Sequence, residues 1–172
     1  MLFSSDLGSF DWDALKDDLR NFAAEAQDKV ELLEGIGKRF FDLPGIMLVW
    51  VGLIDKDGQT VIPIFEAGSC GSYIDNNKFV FDDSDLGVLV GQADQTRLPK
   101  VITDAGSDPA YEPWREQAKA YGFASCAVLP LMPAGNLCGF LTLYSSNPRA
   151  FTNEVQKRLG EIIQLITSCA VH

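Results

Sequence analysis

The chain has 172 residues, 47% of them apolar and 22% charged, which suits one soluble globular domain and argues against disorder. Its 14 basic and 24 acidic residues leave a formal charge of −10, which disfavours binding to nucleic acid or to an anionic membrane surface. No apolar run approaches the ~18–20 residues needed to cross a bilayer. Acidic Asp6, Asp11, Asp13, Asp17 and Asp18 stand where a secretory signal would be basic, so a cytoplasmic location is expected.

Residues 1–10 read as a mobile lead-in and 11–172 as a single domain. From Asp11 to Phe41, Leu15, Leu19, Phe22, Ala26, Val30, Leu33 and Phe40 recur at three- and four-residue steps, predicting one amphipathic helix. Gly35 and Gly37 weaken its last turns, and Leu43-Pro44-Gly45 ends it. Ile46–Ile54 reads as a strand, Asp55–Gly58 as a hairpin turn, and Thr60–Phe65 as the returning strand, with Pro63 at an edge or a bulge. Gly68–Asp85 is polar and glycine-rich, hence a loop, and Leu86–Ala93 a short helix. Lys100–Thr103 is a strand leading into the loop Asp104–Ser107. Asp108-Pro109 then opens a helix, interrupted near Pro113 and stopped at Gly122. Strands Ser125–Met132 and Leu137–Ser145 follow, joined by a tight Pro-Ala-Gly-Asn turn. Thr152 caps a closing helix that carries Val155, Leu159, Ile162, Ile163, Ile166 and Cys169 on one face. Hairpins flanked by terminal helices predict an α+β domain with a largely antiparallel sheet.

Cys70, Cys126, Cys138 and Cys169 are widely spaced and lack a C-x-x-C pair, so no zinc site or redox pair is signalled. The hairpin would set Cys126 opposite Leu143, too far from Cys138 for a disulfide. All four are expected as small buried hydrophobes.

Several stretches in order resemble the GAF domains of bacterial signalling proteins: V-W-V-G-L-I-D with D-G (Val49 to Gly58), V-I-T-D…D-P (Val101 to Pro109), P-W-R-E-Q-A (Pro113 to Ala118), Y-G-F-A-S-C-A-V-L-P-L (Tyr121 to Leu131), G-F-L-T-L-Y-S (Gly139 to Ser145) and P-R-A-F-x-x-E (Pro148 to Glu154). They span roughly residues 30–172. The resemblance implies a six-stranded antiparallel sheet with the N- and C-terminal helices on one face and a small-molecule pocket under the loop insertion on the other. It also implies homodimerisation through the terminal helices.

Sharper chemistries fit less well. Relatives that bind cyclic nucleotides carry an Asn-Lys/Arg, Phe, Asp-Glu signature. Asn147 and Phe151 keep its spacing, but Pro148 replaces the basic residue, Val155-Gln156 the acidic pair, and Glu154 sits one place early. The sole histidine, His172, ends the chain, which excludes the Cys-His pair of bilin-binding relatives and argues against a histidine-ligated haem or metal and against a hydrolytic triad. No cofactor and no metal are expected. An enzymatic relative reduces free methionine sulfoxide with cysteines around its pocket, a pattern that one loop cysteine and two strand cysteines do not reproduce. Cys70, on a loop, is the candidate for a redox-sensing thiol.

What remains is a binding pocket. Strand alternation sends Gly139, Leu141 and Leu143 to the helix side and Phe140, Thr142 and Tyr144 to the pocket side, with Trp50 able to join them. Tyr73, Asp104, Trp114 and Arg115 suggest a lid, Arg115 being able to pair an anionic ligand; alternatively the aromatics fill a closed core and Trp114-Arg115 hold the insertion onto the sheet. The expected function is a regulatory sensor that binds a small molecule and/or dimerises to control an attached output domain, either a diguanylate cyclase or phosphodiesterase of cyclic-di-GMP signalling or a histidine kinase. The closing helix runs to the chain's end without a stop signal, which suggests a fragment cut before that domain. The alternative is a dimeric spacer with a filled pocket; a small redox enzyme is a third reading.

Overall fold

A computed structural model of the chain describes residues 7–55, 57, 60–68, 79–80, 96–109, 112 and 115–169. The end of the lead-in is tied down: Leu7–Ser9 makes a 3-10 turn, Leu7 is buried, and Trp12 Nε1 donates to its carbonyl at 3.0 Å. Asp11 caps the first helix, α1 (Trp12–Glu25), accepting from the Ala14 amide at 3.0 Å.

The single helix expected over 11–41 is two, because residues 26–28 offer the backbone a better local solution. Ala26 is extended, Asp28 accepts from the Glu31 amide at 2.9 Å, and Glu31 reaches back to accept from the Gln27 amide at 2.7 Å. This variant of the capping box starts α2 (Lys29–Phe41) afresh. The break also turns the stripe: Val30, expected inside, is 41% exposed, while Leu32, Leu33, Ile36 and Phe40 are buried. Gly35 and Gly37 are contact points inside α2 rather than weak final turns. The Phe22 ring lies where a side chain on Gly35 would stand, and Phe65 and Val51 crowd Gly37. Arg39 fastens the helix pair, donating to Asp18 Oδ2 at 2.7 Å with its guanidinium 4.0 Å over the Phe22 ring.

Strand β1 (Ile46–Ile54) turns back into β2 (Thr60–Gly68), which runs past its expected end at Phe65. The Asp57 carboxylate accepts from the Thr60 amide and hydroxyl at 2.9 and 2.7 Å, closing the hairpin. Pro63 faces Gly52 where the register slips between Val51 and Gly52, so the proline sits at a bulge. Then come β3 (Phe79–Val80) and β4 (Lys100–Ile102). Of the helix expected to begin at Asp108-Pro109, the described residues include α3 (Arg115–Tyr121), and Gly122 ends it in the left-handed conformation at φ +81°. Strands β5 (Ser125–Leu131) and β6 (Gly139–Ser145) and the Thr152-capped helix α4 (Asn153–Thr167) complete the fold. The helix expected at Leu86–Ala93 lies outside the described residues.

Among the described residues the strands form one antiparallel sheet in the order β3-β2-β1-β6-β5-β4. Cys126 faces Tyr144 rather than Leu143, because the connection over 132–138 is looser than a tight turn and holds Ala134 (φ 56°) and Gly135 (φ 81°). Helix α2 lies on β1 and β2, α4 on β5, and α1 bridges α2 and α4. Under them Val49, Val51, Ala127, Leu129, Leu141 and Leu143 form one core with Leu33, Phe40, Phe151, Leu159 and Ile162. Burial of such a side chain is worth about 1.5–3 kcal/mol. No described helix is long and apolar enough to cross a membrane.

Candidate functional site

Alternation along the strands gives the opposite face a second cluster: Leu48 and Trp50 from β1, Phe140 and Tyr144 from β6, Cys126 and Val128 from β5, Val61 from β2 and Ile102 from β4, with Ala105, Ala118 and Phe123 packed beside them. Four of the candidate residues therefore come together. Trp50 lies opposite Thr142, and Trp50 Nε1 donates to the Tyr144 hydroxyl at 3.4 Å. The Phe123 ring meets Tyr144 at 4.6 Å and stacks on Tyr121 at 6.3 Å, extending the aromatic wall. Trp50, Phe140, Thr142 and Tyr144 are all 0% exposed.

The register exposes a feature that reading single strands misses. Glu66 opposes Trp50, Trp50 opposes Thr142, Thr142 opposes Val128, and Val128 opposes Lys100. Directly opposed residues share a face, so one row crosses the sheet with a half-buried carboxylate and a half-buried ammonium on either side of a neutral centre. Alternation from Phe65 could have placed Glu66 on this face; its pairing to Trp50 is a long-range fact. At the centre, Thr142 Oγ1 is buried without a hydrogen-bond partner. The two other fully buried polar side chains among the described residues are satisfied: Ser125 Oγ donates to the Asn147 carbonyl at 2.7 Å and Ser145 Oγ to the Gly45 carbonyl at 2.8 Å.

Asp104 and Arg115 line a cleft of about 310 Å³ together with Lys119 and Pro148, and Ala105, Ala118 and Phe123 are shared between this cleft and the aromatic cluster. Asp104 and Arg115 both hold loops. Arg115 Nε donates to the Ala105 carbonyl at 3.2 Å and its Nη2 to the Asp108 carbonyl at 3.1 Å, while Asp104 Oδ1 accepts from the Gly106 amide at 2.9 Å. Tyr73, Trp114 and Cys70 lie outside the described residues.

No disulfide joins Cys126, Cys138 and Cys169. Cys126 is buried beside the aromatic cluster, and Cys138 is buried in the helix-side core. Desolvation pushes the Cys138 thiol up to about 11, against a small opposing pull from Lys29. Cys169, expected on the buried face of the last helix, is half-buried just past its end, and burial raises its thiol too. Asn147 and Phe151 serve the fold. Asn147 Oδ1 accepts from the Arg149 amide at 3.2 Å, and the Phe151 ring is 0% exposed in the helix-side core.

A family model described as GAF domain matches residues 26–169. Among solved structures, the chain is similar to free methionine-R-sulfoxide reductase from Neisseria meningitidis in complex with its substrate, at 19% identity and a TM-score of 0.68, over 91% of this chain and 86% of that one. It is similar to fRMsr of Staphylococcus aureus in complex with substrate, at 16% identity and a TM-score of 0.71, over 91% of this chain and 94% of that one. The GAF domain of a phosphoenolpyruvate-protein phosphotransferase from Coxiella burnetii is 14% identical with a TM-score of 0.66, over 90% of each chain. Identities this low carry the fold alone. No curated protein matches the chain.

Proposed function

The chain belongs to the GAF-domain family, and from that premise we propose that it is a sensory module that binds a small molecule on the sheet face opposite its helices. GAF domains are in general regulatory. The observation that carries the reading here is Thr142 Oγ1, a buried hydroxyl without a partner, set between Trp50 and Val128. Native proteins rarely leave such a group unsatisfied, and a ligand that supplies the missing bond accounts for it. In this proposal the module acts in the cytoplasm, pairs with a second copy through its terminal helices, and passes the signal to an output domain such as a cyclic-di-GMP enzyme or a histidine kinase.

Native mass spectrometry of the purified protein, set against its denatured mass, tests the binding claim. A retained non-covalent molecule supports the sensor. A protein that stays empty across a metabolite extract favours a second reading, a dimeric spacer, which the complete burial of Trp50, Phe140 and Tyr144 supports. A third reading, a thiol enzyme or redox sensor, draws on the two reductases of similar fold. It requires a reactive cysteine, with Cys70 the candidate, and unchanged oxidation kinetics in Cys70→Ser would refute it.

A further inference from the structure

Resting on that ligand-binding reading, we infer that the ligand meets the centre of the sheet with an uncharged hydrogen-bonding group, such as a carboxamide, carbonyl, hydroxyl or ring nitrogen, held by Thr142 Oγ1. A valine would fill the same volume with nothing to satisfy, so the hydroxyl is a liability to the empty fold and an asset when a partner arrives. Charge is disfavoured by the described residues that surround it. Trp50 and Val128 flank Thr142 across the strands, and Phe140 and Tyr144 flank it along β6. All four are 0% exposed and none carries a charge. An ionised group placed among them loses its water and meets no opposite charge from these four residues.

The charges of the same row, Glu66 and Lys100, lie two strands away on either side, about 10 Å from Thr142 at the usual strand spacing. A ligand with ionised groups would therefore hold them toward the ends of the row and its neutral part at the middle. A threonine hydroxyl both donates and accepts, so the site selects on charge before it selects on donor or acceptor.

The test uses benzamide, benzoate and benzylamine, which share a ring and differ in charge. Saturation-transfer NMR measures affinity for the whole protein, and the Trp50 indole N–H resonance, assigned by its loss in Trp50→Phe, locates the binding. Benzamide is expected to bind best. Thr142→Val should weaken it about 3- to 10-fold, as for the loss of one hydrogen bond, and Thr142→Ser should restore it. Benzoate or benzylamine binding as well as benzamide, or benzamide binding Thr142→Val unchanged, would overturn the inference while leaving a ligand site in place. If none of the three moves the Trp50 signal, the ligand-binding reading of this face fails, and the inference with it. The empty Thr142→Val protein should melt no lower than the parent; a large drop would show that the hydroxyl already has an internal partner and would also overturn the inference.

Discussion

Leu141 and Thr142 are neighbours on β6, both fully buried, and they belong to different environments. Leu141 faces a broad core closed by three helices, in which aliphatic residues interlock with Phe40 and Phe151. Thr142 faces a smaller cluster of Trp50, Phe140, Tyr144 and Phe123 that holds a weak tryptophan–tyrosine hydrogen bond and an orphaned hydroxyl. The first face spends its whole area on stability, since aliphatic packing has no unmet need. The second holds polar atoms in aromatic surroundings, an arrangement that gives up packing energy and that the proposed function explains as a means of recognition.

Four measurements can break or sharpen this contrast. Phe40→Ala should cost about 3–5 kcal/mol in urea unfolding, since it empties the centre of the helix-side core. Gly35→Ala should cost about 1–3 kcal/mol by the same measure, because its methyl group enters the space of the Phe22 ring, which must leave its contact with α2. On the other face, Trp50→Phe removes the donor to Tyr144 and part of a buried ring and should cost about 1–2 kcal/mol. A loss equal to that of Phe40→Ala would erase the distinction between the faces.

The smallest effect belongs to the ionic cluster between α1 and α4, where Lys16 Nζ lies 2.9 Å from Glu161 Oε2 and 3.3 Å from Asp13 Oδ1, and Arg158 Nη1 lies 3.4 Å from Glu161. The hydrogen bond from Lys16 is the main influence holding the Glu161 carboxyl below its ordinary value. That contribution is present above the ordinary carboxylate range and lost as pH falls through the lowered value. Lys16 is held above its ordinary value, chiefly by the hydrogen bond to Glu161, so its contribution is present below the ordinary lysine range and lost as pH rises through the raised value. Protection of α1 amides, corrected for intrinsic exchange, should therefore be greatest at neutral pH and fall toward both extremes, slightly, because the groups are solvent-screened. Equal protection at all pH values, after correction for intrinsic exchange, would mean that apolar packing alone holds α1.

The sides taken by Leu141 and Thr142 were legible in the sequence, because the two-residue period of a strand is local and needs no knowledge of neighbours. The aromatic face could be read for the same reason. The break at 26–28 was also written locally, as Asp28-x-x-Glu31, but an apolar stripe that runs on through it masks the cap. Register was harder. The slip that pairs Cys126 with Tyr144, and the row joining Glu66 to Lys100, depend on loop lengths and on the bulge beside Gly52. Arg115 shows a further gap: its sequence position does not reveal the two backbone carbonyls, of Ala105 and Asp108, that accept from its Nε and Nη2.

The central place of β6, between β1 and β5, has a mechanical consequence. Thr142 is joined by single peptides to Leu141 and Leu143, and hydrogen bonds on both edges keep the strand from twisting free. A push on Thr142 along the sheet normal reaches the leucines with no slack between them, and the helix-side core into which they pack must follow or lose contact. The sheet then works as a diaphragm one backbone thick. Its compliance is set by the ladders to β1 and β5, and its two sides cannot be displaced independently.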